Sequence, residues 1–243
     1  MSLVSASSVI GGVKEYVYRG IQQLPIVLAA TSLLFTIASG SVVHANLAAG
    51  LLFIIPLYTW ALQQFIPKFL SFASGGRVTS TTWSRSTDEV CNIIKENSKL
   101  KLSIFDSTST GSIPSYWLTS VGFFIGYAIS NAVESLTMVS QPNADPINIE
   151  KRATQAIYVI VASCLFFLGV LFIRFKGSSA CEGFSGTAWL LSFITSAGAA
   201  AIGYGMYCIS KKCGSRASDL FGILSQILPV SSSTPDPIVC MAA

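Results

Sequence analysis

The chain has 243 residues, of which 51% are hydrophobic and only 11% charged, where ordinary soluble domains carry roughly 25% charged residues. Its 15 basic and 11 acidic residues leave a net charge of +4, but they crowd into a few segments. That charge therefore belongs to loops at water or lipid headgroups and makes no case for nucleic-acid binding.

The opening stretch, MSLVSASSVIGGVKEYVYRG, places its charges after the first apolar residues. It lacks a short apolar core with a small-residue cleavage site, so a secretory signal peptide is not expected. Positions 20 to 67 then run without one Asp, Glu, Lys or Arg. A spanning helix needs about 20 apolar residues at roughly 1.5 Å rise each, so this block holds two helices. The break is expected near Gly40, Ser41 and His44, giving a first helix at 24–43 and a second at 46–65. The first spanning helix would serve as its own signal.

Positions 66 to 112 carry six of the basic and four of the acidic residues. Ser86 stands three residues before Glu89, as in a capping box. The helix it would start places Val90, Ile93, Ile94 and Asn97 on one face. Lys99 to Ile104 alternates with period two, as a half-buried strand does. A small α/β extramembrane lobe is expected here.

Further charge-free blocks follow at 107–133, 153–173 and 183–210. They predict helices at 114–133, 156–173 and 187–209. After them, Leu220, Ile223, Leu224, Ile227 and Leu228 line one face of a short amphipathic helix, too short to span, and the SSSTPDP stretch reads as a tail. The expected fold is thus an all-α membrane protein with a bundle of about five transmembrane helices, four being the alternative if the first pair is a re-entrant hairpin. Its parts are an N-terminal segment and helical hairpin at 1–65, the lobe at 66–112, a three-helix bundle at 113–210, and an amphipathic helix and tail at 211–243. With five spans, the N-terminus and the 66–112 and 174–186 loops hold ten basic residues and the opposite side five. Since Lys and Arg favour the cytoplasm, this places the N-terminus inside.

Chemistry has little to work with. His44 is the single histidine, in a tight turn, and reads as an interfacial polar residue. No HExxH, GxSxG or P-loop pattern occurs. The six cysteines show no metal-ligand spacing, so no catalytic, cofactor or metal site is expected. The expected spans also lack the mid-membrane ionisable groups that mark ion pathways. Packing signals are clearer. Gly122, Gly126 and Ser130 form a small-residue stripe at four-residue spacing, and the last helix offers Ala199 with Gly203, and Ala201 with Gly205. Such stripes let helix backbones approach closely where lipid is as apolar as the side chains. Tyr116 and Trp117 suit the headgroup belt.

The string from Ile113-Pro114-Ser115-Tyr116-Trp117 through Gly122 and Gly126 to Ser130-Asn131-Ala132 resembles a segment of small multi-span proteins of large DNA viruses of algae and protists. The likeness covers about 20 of the 243 residues. Where that pattern has a His two or three residues after the Trp, this chain has Thr119 and Ser120. The resemblance implies a structural protein of the internal, host-derived membrane beneath an icosahedral capsid. Its partners would be the lipid bilayer and capsid or other membrane proteins, with an oligomer compatible. The alternative from another class is a channel or carrier for a small neutral solute.

Overall fold

The computed structural model describes residues 20–21, 23–73, 84–85, 111–112, 116–137, 146–177, 186–212 and 220–221. Among the described residues, six α-helices carry the architecture. They are α1 (Leu24–Ser39), α2 (Val42–Ala49), α3 (Ile55–Ala73), α4 (Tyr116–Thr137), α5 (Pro146–Gly177) and α6 (Gly186–Lys212). A five-residue π-turn, Gly50–Ile54, joins α2 to α3 without a break in the helix.

The first expected break is real and local. Gly40 closes α1 in the left-handed region at φ 64°, and its N–H donates to Thr36 O at 2.8 Å. A left-handed residue after the last turn is the usual helix stop, and glycine takes it without a Cβ clash. The chain restarts at Val42, so His44 lies in the first turn of α2 and stacks on Phe35 across the corner, ring centroids 5.4 Å apart.

Among the described residues, three helices are long and apolar enough to cross a membrane: Val42–Ile66, Ile149–Phe172 and Phe193–Lys212. By length and composition, this count supports neither the expected five spans nor the alternative of four. The stop at Gly40 leaves α1 at 16 residues, about 24 Å, short of a hydrocarbon core of roughly 30 Å. Helix α4 has the length, at 22 residues, but carries Thr119, Ser120, Ser130, Asn131, Glu134, Ser135 and Thr137. It can be this polar because neighbouring helices, not lipid, cover it: fourteen of its residues are buried.

The expected α/β lobe is not supported. The described part of 66–112 consists of the end of α3 and one antiparallel pairing, Ser84 with Ser112 and Arg85 with Gly111, too short to form a packed sheet. Its expected helix and its strand at 99–104 lie outside the described residues. So does most of the expected C-terminal amphipathic helix; Leu220 and Phe221 stand in a bend, with Leu220 against the core.

Helix directions follow from which residues meet. Val43 lies against Tyr127 and Thr59 against Thr119, so the α2–α3 helix runs antiparallel to α4. Trp117, Leu118, Val121 and Ile125 pack with Phe167, Val170 and Leu171, so α5 is antiparallel to α4 as well. Gly122 meets Ser196 and Glu134 meets Lys211, so α6 runs parallel to α4.

The surface inverts the soluble pattern. Leu34, Ile37, Phe53, Phe69, Leu165 and Phe172 are exposed, while Ser32, Thr59, Thr119, Ser120, Asn131, Ser135, Thr195, Ser196 and Ser210 are buried. Soluble proteins rarely expose large contiguous apolar surface, and hydrocarbon is the solvent that accepts it. The protein is built for membrane insertion.

Candidate functional site

The parallel contact between α4 and α6 is set by three glycines. A Cβ on Gly122 would lie 2.7 Å from Ser196 O, on Gly126 2.6 Å from Ala200 Cα, and on Gly203 2.9 Å from Tyr127 N. Real Cβ atoms do not approach so closely, so any side chain here must push the two backbones apart. Ser196 uses the closeness: its hydroxyl donates to Leu118 O at 3.3 Å across the seam. Ala199 is fully buried in the cluster that holds Tyr116, Phe123, Tyr127 and Tyr207. Ser130, one step further along the α4 stripe, is half-buried, and its hydroxyl turns back to Gly126 O. Gly205 does not join this contact; it is exposed, and a Cβ there would meet nothing within 4 Å. The reason is rotation: two residues beyond Gly203 is about 200° around the helix.

Tyr116 and Trp117, expected at the headgroups, are buried within the bundle. Trp117 is 1% exposed, and its indole Nε1 donates to Ile21 O at 2.7 Å. Tyr116 is buried too, and its hydroxyl donates to Leu51 O at 3.1 Å. Both sit at the start of α4 and pack against the segment that enters α1 and against the π-turn. An amphipathic ring serves a buried carbonyl as readily as a headgroup.

The antiparallel seam between α2–α3 and the α4–α6 pair is polar, and sequence reading missed most of it. Tyr127 donates its one hydroxyl proton to Val43 O at 2.9 Å. Ser210 must then donate to Tyr127 Oη, at 2.8 Å, and in turn accepts from Asn46 Nδ2, also at 2.8 Å. The result is one directed chain, Asn46 to Ser210 to Tyr127 to Val43, that begins and ends on α2 and ties in both partner helices. Tyr207 packs edge-on against Tyr127, centroids 5.7 Å apart. At the opposite end, the hydroxyls of Thr59 and Thr119 lie 2.9 Å apart and Tyr58 donates to Thr195 O at 3.0 Å. A signal for this seam existed. Tyr116, Ser120, Tyr127, Asn131 and Ser135 recur at helical spacing within an otherwise apolar block, which marks a covered face.

Lys211 and Glu134 join the ends of α6 and α4 at 2.8 Å, both partly exposed. Such a pair orders the helix ends more than it stabilises them. Among the described residues no cluster of His, Cys, Asp or Glu could hold a metal ion. Cys164 and Cys208 are free thiols on α5 and α6. The arrangement offers tight, directional helix association and fills its centre with Trp117, Phe123 and Tyr127. Comparison with known proteins finds no match: no family model fits the chain, and no curated protein or solved structure is similar to it.

Proposed function

We propose that this chain is a structural integral membrane protein, a rigid helical bundle that seats in lipid and holds its loops against a neighbouring protein layer. The observation that carries the reading is the glycine-set contact of α4 with α6, in which Gly122, Gly126 and Gly203 bring two backbones together around a filled aromatic core. A bundle locked in this way is suited to bearing load and poorly suited to opening.

Helix α4 belongs among the crossings in this proposal, despite its polarity. The α2–α3 helix and α5 run in the same sense, both antiparallel to α4. A chain that crosses twice in one direction must return in between, and α4 is the described helix on that path. It also keeps pace with α6, from Leu118 beside Ser196 to Glu134 beside Lys211. With α1 as a shorter fifth element, the up-and-down order of five passes is kept, and the N-terminus faces the cytoplasmic side.

The likeness of the 113–132 string to proteins of large DNA viruses extends the proposal to an internal virion membrane and to capsid proteins as partners. Quantitative proteomics of purified particles tests it. A structural component is present at high, fixed copy number relative to the major capsid protein; trace amounts would sink the idea. The second reading, a carrier or channel for a small neutral solute, draws on the buried hydroxyls of Thr59, Thr119, Tyr127 and Ser210. Solute flux into liposomes holding the purified chain decides it; the structural reading expects no flux above protein-free liposomes.

A further inference from the structure

Much of the polarity of α4 is satisfied within α4 itself. The hydroxyls of Ser120, Ser130, Ser135 and Thr137 donate to Tyr116 O, Gly126 O, Asn131 O and Val133 O, each four residues back. This spares them the cost of an unpaired group in hydrocarbon. Two groups further along the helix find their partners elsewhere. The Tyr127 hydroxyl meets Val43 O and Ser210. The Glu134 carboxylate ends the apolar run of α4 at 116–133, about 27 Å against a hydrocarbon core of roughly 30 Å, and it meets Lys211 at 2.8 Å.

Ser210 and Lys211 are consecutive, so one turn of α6 serves both groups. The same helix carries the backbone that Gly122 and Gly126 approach. Partners on the preceding helices, Val43 and Thr59, do not serve Glu134. Helix α6 is itself the least apolar of the three helices able to cross, whereas α5 is the most apolar and lies largely uncovered. Helix α5 therefore has what it needs from lipid alone, while the helices on either side of it in the chain lean on each other.

We propose that α4 and α6 are a co-dependent pair, in which α4 keeps its place across the membrane only with α6 beside it. The crossing of the 138–145 segment is then conditional on a helix that comes later in the chain. This rests on the reading of α4 as a crossing helix.

Thiol labelling of the full chain in sealed vesicles tests it. The six native cysteines are replaced by alanine, and Ser80→Cys or Ser140→Cys is introduced singly. With α4 across, an impermeant maleimide reaches the two from opposite sides. Gly203→Leu makes α6 more apolar and leaves the sequence of α4 untouched, but a Cβ there would already lie 2.9 Å from Tyr127 N. The fraction of Ser140→Cys chains labelled from the Ser80→Cys side should rise by roughly tenfold, the effect of overpacking one close contact on an equilibrium. Adding Glu134→Leu and Thr137→Leu makes α4 apolar enough to stay without help, so in that background Gly203→Leu should change the fraction by less than about twofold.

Labelling of both cysteines from one side in the parent chain overturns the crossing of α4 and the pair with it. A parent that crosses and is unmoved by Gly203→Leu overturns the pair alone. An equal rise in the apolar background does so too, since it would mark general misfolding. Should Gly203→Leu not accumulate in membranes, Ser196→Leu, set against Gly122, decides by the same criteria. Loss of the protein in both backgrounds overturns the proposal.

Discussion

Gly126 and Gly205 are both small residues on stripes of four-residue spacing, yet they differ in what a methyl group would meet. At Gly126 an added Cβ runs into the Ala200 backbone, which cannot move without separating α4 from α6. Gly126→Ala should therefore cost about 1–3 kcal/mol by overpacking, read as a lowered thermal midpoint in detergent micelles. Gly205→Ala meets open space and gains helix propensity, so the same melt should hold steady or rise, by about 0.5–1 kcal/mol at most. The stripes were legible in the sequence as candidates for close packing. Which member of a stripe faces a neighbour was not, because small residues signal permission to approach and carry no information about direction. Tyr116 and Trp117 teach the same lesson: an aromatic with one polar tip suits a headgroup or a buried carbonyl equally well, and only the position of Ile21 and Leu51 decides.

Among the elements, α1 and α2 are separated by two residues, left-handed Gly40 and extended Ser41. Gly40→Val places a β-branched side chain at φ 64°, where the backbone resists it. A loss of about 1–2 kcal/mol is expected in the same thermal assay. The seam of α2 with α4 and α6 depends instead on shared protons. Tyr127→Phe breaks the directed chain at its middle, leaving Ser210 to turn to Met206 O in its own helix. Tyr127→Phe and Ser210→Ala should each cost about 1 kcal/mol, and the double variant clearly less than their sum, since both remove the same link. A double-mutant cycle that proves additive would mean the two hydroxyls act separately. Helix existence was readable from the charge-free blocks. Helix ends were not: α5 begins at Pro146 and α6 runs to Lys212, because charged residues at a membrane edge continue a helix comfortably once water or a partner such as Glu134 is within reach.

For the whole molecule, the sense of each helix makes a prediction about sidedness. Cysteines introduced at 138–145 and after Lys212 should react with a membrane-impermeant thiol reagent from one side of sealed vesicles. Those at 74–83 and 178–185 should react from the other. If 74–83 and the segment after Lys212 label together, the five-pass proposal is wrong, since these segments stand at opposite ends of antiparallel elements. The absence of charge from position 20 to position 67 was enough to assign this protein to lipid, because a charge in hydrocarbon is costly wherever the chain happens to fold. Placement in the membrane, helical content and the supply of small residues are thus properties of composition and period, and the sequence determines them alone. What tertiary structure alone decided is how so polar a helix as α4 is accommodated. Helix α4 reads as a weak span in isolation and is covered by its neighbours in the bundle. Its hydroxyls find partners on α2, α3 and α6, so the polarity that lowers its affinity for lipid is what joins it to the other helices.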